Sequence, residues 1–274
     1  MSDVLGYRGK RVIVSGCFSG MGAATARMLS DLGAEVHGLD FKPSDQPLAS
    51  FNLVDLRDPT SIEAGVAAIG GKVDALFNCA GLPTGLPPMD IMKVNFIGLR
   101  HLTQTVVPLM GPGASITSIA STGGLGWSRR IPTNMEFVTT PGWDAALAWC
   151  EANMETVREG YSFSKENVIV WTQLTGAHLI KQGIRVNCTL PSPTETPMMA
   201  KFHEASGKDV VDAAAEPLGR YTTPEEQAGG LVLLGSALAG VINGVVLPVD
   251  GGFMGGLATG QIDLAAMMSK VKAK

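Results

Sequence analysis

Short apolar runs rich in valine and isoleucine alternate along the chain with longer stretches in which apolar residues recur every three or four positions. The runs "RVIVSG" (11–16), "AEVHGLD" (34–40), "SFNLVDL" (50–56), "VDALFNCAG" (73–81), "ASITSIA" (114–120), "IRVNCTL" (184–190) and "GVVLPVDGG" (244–252) predict seven β-strands. Helical spacing fills the intervals, from about Gly20 to Leu32 and then Pro59–Ile69, Met89–Met110, Gly160–Gln182 and Pro224–Leu238. Strands that alternate with helices in this way form βαβ units, and their apolar character asks for a parallel sheet covered on both faces. Right-handed crossovers then leave a doubly wound α/β topology, mostly parallel, with seven strands. No linker, repeat or shift of composition divides the sequence, so residues 1–274 are expected to form a single domain. The run "AGGLVLLGSALAGVI" (228–242) is too short for a bilayer and reads as a buried helix.

Composition narrows the class of partner. Hydrophobic residues make up 45% and charged residues 17%, which permits a sizeable core. Lys+Arg number 21 against 25 Asp+Glu, with no long basic run, which argues against nucleic acid or an anionic membrane. Cys17, Cys79, Cys150 and Cys188 are scattered without CxxC or ligand spacing. They read as free thiols in a reducing compartment, with no metal site. The first residues, "MSDVLGYRGKRVIV", lack the apolar stretch of a secretion signal, and a soluble cytoplasmic protein is expected.

In a doubly wound sheet, ligands bind beyond the carboxyl ends of the strands where strand order reverses. "SGCFSGMG" (15–22) lies at such an end and sets Gly16, Gly20 and Gly22 between a strand and a helix. The amides of a helix start attract a pyrophosphate, provided that no side chain blocks the approach. Asp40 closes the second strand 18 residues after Gly22, near the spacing expected of a carboxylate that binds an adenosine ribose. A carboxylate there accepts from the ribose hydroxyls and repels a 2′-phosphate, which favours NAD over NADP. Lys42 is expected to project into solvent.

Tyr161 and Lys165 stand four residues apart in "GYSFSKENVIVWTQL", on one face of a helix. A phenol, with a pKa of about 10, is a poor base at neutral pH, and a nearby ammonium lowers that value. Such a pair can take a proton from an alcohol or return it to a carbonyl.

Together these residues resemble the short-chain dehydrogenase/reductase family. The matching set runs in family order from about Lys10 to Gly252: "SGCFSGMG", Asp40, "VDL" (54–56), "NCAG" (78–81), Asn95 in "KVNFIG", Ser118 in "ITSIAS", "YSFSK", "LPSPTETP" and "VDGG" (249–252). Two positions depart from the family pattern: Ser15 replaces the usual threonine, and Pro191-Ser192 replaces Pro-Gly.

The resemblance implies a Rossmann-type fold and roles for individual residues. Tyr161 would be the acid/base, and Lys165 would hold the nicotinamide ribose and lower the tyrosine pKa. Ser118 would bond the substrate oxygen, with Ser121 as runner-up, and Asn95 would hold a water on a proton relay. Ser15, Gly16, Ser19, Gly20, Met21 and Gly22 would cradle the pyrophosphate. Asp55 and Leu56 would contact adenine; Asn78, Cys79, Ala80 and Gly81 would line the adenosine ribose. Pro191, Thr194 and Thr196 would meet the carboxamide. Members commonly assemble as homodimers or homotetramers.

Ser118 and Tyr161 are 43 residues apart, farther than in most members, through an insertion at about 123–159. Within it, Thr140-Pro141 suits a helix N-cap and first helical position. The insertion, "SGC" and "PTETP" resemble the branch containing 3α-hydroxysteroid dehydrogenase/carbonyl reductase. "AWCEAN" and "VIVWTQL" look still more like bacterial coniferyl-alcohol dehydrogenases. Both point to a hydrophobic cyclic or aryl alcohol or carbonyl, with Trp127, Trp143, Trp149, Met198, Met199 and Phe202 as candidate pocket residues. Met198–Ala205 resembles the family's mobile substrate lid. The tail from about 253 to 274 ends in "IDLAAMMSKVKAK", which reads as a short amphipathic helix. The competing readings are a catalytically silent NAD-sensing regulator, disfavoured because all four catalytic residue types are present, and epimerase or dehydratase chemistry, disfavoured by length and the early "VDGG".

Overall fold

The computed structural model describes residues 3–158 and 160–263. Seven strands form one parallel sheet in the order β3-β2-β1-β4-β5-β6-β7. They are β1 (Arg11–Ser15), β2 (Glu35–Asp40), β3 (Ser50–Leu53), β4 (Ala75–Asn78), β5 (Ser115–Ile119), β6 (Arg185–Pro191) and β7 (Val246–Val249). Every residue of β4, β5 and β6 is buried, as central parallel strands with both faces covered must be. Strand order reverses between β1 and β4, which opens a crevice at their carboxyl ends.

The helices are α1 (Gly20–Asp31), α2 (Pro59–Ile69), α3 (Pro88–Met92), α4 (Leu99–Val106), α5 (Ile131–Val138), α6 (Gly142–Ala152), α7 (Met154–Val157), α8 (Tyr161–Leu179), α9 (Met199–Ser206), α10 (Lys208–Ala215), α11 (Pro224–Gly235) and α12 (Phe253–Ala258). α1 packs on α11 over one face of the sheet, whereas α8 lies on β6 over the other. Local chemistry sets several starts. Asp58 caps α2 by accepting from the Thr60 amide, with Pro59 at the first helical position. Thr223 and Glu226 form a reciprocal capping box on α11. A π-helical turn over Lys93–Gly98 joins α3 to α4.

Two expectations need correction. The apolar run 228–242 is not one buried helix: α11 ends at Gly235, and Leu238, Val241 and Ile242 are exposed beyond it. Ser236 stops the helix in an extended conformation, and Arg185, from β6, donates to the carbonyls of Leu234 and Ser236 at 2.7 and 2.9 Å. Nor does Thr140 cap α6. Its hydroxyl donates to the Phe137 carbonyl at 2.8 Å, and the helix begins at Gly142 with Pro141 at the cap.

The insertion folds as a 3-10 turn over Thr122–Arg129 followed by α5, α6 and α7. Arg100 of α4, buried, anchors it by donating to the Val138, Thr140 and Gly142 carbonyls at 3.3, 3.1 and 2.6 Å. Most of the C-terminal segment 262–274 lies outside the described residues.

Candidate active site

The turn after β1 brings two backbones together with no room for side chains. A Cβ on Gly16, which has φ +73°, would stand 2.5 Å from the Ala80 amide nitrogen. One on Gly22 would stand 2.1 Å from the Gly16 carbonyl oxygen. The start of α1 is thus bare, and the Ser19 hydroxyl at its cap makes no bond to the helix. Above it lies a cavity of about 360 Å³ lined by this turn, by Asp40, by Asp55 and Leu56, and by Cys79, Ala80 and Gly81. A helix N-terminus open to a cleft suits a pyrophosphate, so the residues present fit a dinucleotide.

Asp40, at the end of β2, faces this cavity and is nearly buried. Its carboxylate accepts from the amides of Phe18 and Lys42 at 2.9 and 3.1 Å. Lys42 is exposed, as expected. It lines the same cavity, its ammonium 5.4 Å from the ring centroids of both Phe18 and Phe41. Asp55 is engaged by Arg57, whose guanidinium bonds both carboxylate oxygens and holds the group below the usual carboxylate range.

Ser15 and Asn78 lie just below the cavity and do not line it. The Ser15 hydroxyl accepts from the Ala80 amide at 3.4 Å, and Asn78 donates to the Thr103 and Ser118 hydroxyls at 3.0 and 3.2 Å. Both fasten β4 to its neighbours.

A second cavity of about 310 Å³ adjoins the first, and Met21, Cys79, Gly81, Leu82, Thr196 and Met198 belong to both. Pro191 and Thr194 line it, as do Tyr161, Lys165 and Ser121. Tyr161 opens α8, and the Ser121 hydroxyl stands beside its phenol in the same cavity. Burial pushes the Tyr161 pKa up, and the Ser121 hydroxyl opposes that shift. Ser118 is elsewhere. It sits fully buried in β5, in register with Asn78 and Cys188, and does not reach the cavity. The hydroxyl beside Tyr161 therefore comes from Ser121, three residues on, because β5 continues to Ile119 before the chain turns.

Lys165 is buried, and its ammonium donates to the Ile119 carbonyl at 2.8 Å. Burial pushes its pKa down to about 8. Its Nζ stands 5.8 Å from the Tyr161 ring centroid, on the same side of α8 as the phenol. Asn95 comes from the π-helical turn, a feature that recurs at functional sites. It accepts from the Leu82 amide at 2.6 Å and donates to the Leu82 carbonyl and the Ser164 hydroxyl at 3.0 and 3.3 Å. Thr194 reaches Thr222, hydroxyl to hydroxyl, at 3.0 Å, and Ser192 takes an ordinary backbone angle where glycine was expected.

Over this floor lie α9 and α10, hinged at Gly207 with φ +83°. Met198, Met199 and Phe202 line the cavity, the Phe202 ring standing edge-on to Tyr161 at 5.0 Å. Val210, Val211 and Ala214 of α10 join them. The apolar spacing of "VVDAA" was the available sign of that inner face. Trp127, Trp143 and Trp149 do not line the cavity; they pack into the core beneath the insertion, Trp149 stacked on Phe163 at 5.8 Å.

A parallel sheet with a bare helix start and an adjoining tyrosine, lysine and serine defines a nicotinamide-dinucleotide oxidoreductase. Comparison with known proteins agrees. Residues 10–131 match the family model described as short chain dehydrogenase, and residues 148–254 match the one described as Enoyl-(Acyl carrier protein) reductase. The chain belongs to the short-chain dehydrogenase/reductase family. It is 32% identical to coniferyl-alcohol dehydrogenase of Pseudomonas sp. (strain HR199 / DSM 7063), covering 89% of this chain and 96% of that one. It is 26% identical to 3-alpha-hydroxysteroid dehydrogenase/carbonyl reductase of Comamonas testosteroni, over 88% and 95% of the two chains. Among solved structures, 3-alpha-hydroxysteroid dehydrogenase of Pseudomonas sp. B-0831 complexed with NADH superposes with a TM-score of 0.78 at 25% identity, over 93% and 100% of the chains.

Proposed function

We propose that this protein interconverts an uncharged, hydrophobic cyclic or aryl alcohol and its carbonyl compound, with NAD as the coenzyme. One observation carries the reading of the substrate. Among the described residues that line the cavity over Tyr161, Lys165 is the sole charged one, and the lid contributes Met198, Met199, Phe202, Val210 and Val211. Such a wall desolvates an apolar ring at little cost and offers a charged substrate no partner besides Lys165. The similarity to coniferyl-alcohol and 3-alpha-hydroxysteroid dehydrogenases supports the same class. Asp40 supports NAD, since a 2′-phosphate would meet its carboxylate.

The bound nicotinamide supplies the hydride acceptor or donor. Tyr161 moves the proton, taking it from the alcohol oxygen in one direction and returning it to the carbonyl oxygen in the other. Ser121 donates to that oxygen and favours its negative charge as it develops. Lys165 places a positive charge beside the cleft, while Asn95 pins the Leu82 backbone to α8 and so keeps Gly81 and Lys165 in position. The presence of all these groups speaks for turnover over a silent sensor. The working unit in this reading is a homodimer or homotetramer, measurable by light scattering.

The test is NADH formation from steroid alcohols, aryl allylic alcohols and alicyclic alcohols, with NAD and NADP in parallel. Turnover of at least one apolar class with NAD, and none of charged sugars or hydroxy acids, is expected. Preference for a charged substrate would overturn the reading.

A further inference from the structure

The first turns of α8 carry a group that the reaction as described does not use and that the insertion before the helix holds. Glu166, directly after Lys165, is 1% exposed, yet its carboxylate lies within the fold and not on its surface. It is met from the insertion: Arg130 donates to Oε1 at 2.5 Å and Asn134 to Oε2 at 3.5 Å. The backbone between is drawn hard against the catalytic helix. A Cβ on Gly124 would stand 2.9 Å from the Lys165 carbonyl carbon, one on Gly126 2.5 Å from Glu166 Oε1, and one on Gly123 3.2 Å from the Tyr161 ring. Ser121 caps the front of this 3-10 turn, accepting from the Gly123 amide at 3.0 Å, and Arg130 stands at its rear.

From this geometry we infer that the Arg130–Glu166 pair is a positioning device for the reaction: it holds the Ser121–Arg130 segment on α8 so that the Ser121 hydroxyl meets the Tyr161 phenol. The inference rests on the proposed roles of Ser121 and Tyr161. A buried carboxylate is costly unless it is paired, and a nearly inaccessible one is a fixed point for whatever pairs with it. The turn is short, with its front end packed against Tyr161 and its rear end bonded to Glu166, on successive turns of one helix. Releasing the rear end leaves the front end free to tilt, and a hydroxyl displaced by about 1 Å loses most of its effect on a reacting oxygen.

The test is a double-mutant cycle between Arg130→Met and Ser121→Ala, read as kcat, KM for the alcohol and Kd for NADH. Arg130→Met alone is expected to lower kcat about tenfold or more, with NADH affinity unchanged, because neither Arg130 nor Glu166 lines the dinucleotide cleft. In the Ser121→Ala background the same substitution is expected to change kcat less than twofold, since its route of action is already gone. Arg130→Lys, which keeps a charge for Glu166, should recover part of the loss. Should Arg130→Met fold poorly, Glu166→Gln serves as the second arm of the cycle, being the same size and retaining one acceptor. Equal losses in the two backgrounds, or unchanged kcat in Arg130→Met, would overturn the inference. If Ser121→Ala alone leaves kcat intact, the reading of the catalytic hydroxyl falls first.

Discussion

Lys165 and Tyr161 project from one face of α8, yet the ammonium bonds the Ile119 carbonyl at 2.8 Å and not the phenol. With its pKa down to about 8, a buried Lys165 opposes folding whenever it is charged. That penalty is fully present below pH 8 and fades as pH rises toward the value of an unfolded lysine, about 10.4. Lys165→Met is therefore expected to raise Tm at pH 7, by the equivalent of about 1–3 kcal/mol, while abolishing turnover. The gain should shrink by pH 10, as thermal melts across that range would reveal.

A raised Tyr161 pKa gives the two directions of reaction opposite pH responses. Alcohol oxidation needs the phenolate, so its kcat/KM should climb through the alkaline range. Carbonyl reduction uses the protonated phenol and should stay level through neutrality, then fall at high pH. Removing Ser121 takes away a hydroxyl that lowers this pKa, so in Ser121→Ala the oxidation limb should move to higher pH. A limb that stays in place would show the hydroxyl does not act on the phenol.

Ser118 and Ser121 give a direct contrast. Ser121→Ala is expected to cost about 10²–10³ in kcat, as for loss of one donor to a developing oxyanion. Ser118→Ala should keep activity within a few-fold and cost about 1 kcal/mol of stability through its lost bond with Asn78. Steady-state rates and chemical denaturation on the two variants separate the roles.

Asp40→Ala is expected to raise KM for NAD by about tenfold and to improve turnover with NADP, since one ribose bond and one repulsive charge leave together. The neighbouring Lys42 ammonium would then face the cavity without a carboxylate beside it. Initial rates with both coenzymes at fixed alcohol read out the change. Unaltered preference would remove Asp40 from coenzyme choice.

The strands were legible because Val- and Ile-rich runs with both faces covered leave no other place for such residues; each predicted run contains its observed strand, apart from Pro191 at the end of β6. The glycine turn and Asp40 were legible too, since their spacing follows from one βαβ unit. Ser121 was not. Whether Ser118 or Ser121 reaches Tyr161 depends on where β5 stops pairing with β6, and the partner that claims Ser118 is Asn78 on another strand. The three tryptophans failed as pocket residues for a related reason: a large apolar side chain looks the same in sequence whether it fills a core or lines a cavity.

The insertion leaves the sheet register intact on either side, and Ser121 and Tyr161 touch where it departs and returns. Its two stems are thus already joined at the base, and lengthening a loop so closed adds entropy only as the logarithm of its length. Distance along the chain between the two hydroxyls is consequently a free variable of evolution: material can accumulate there, or be lost, without moving the atoms that react. A search keyed to the separation of these residues will overlook chains of this kind, whereas one keyed to spatial adjacency will find them.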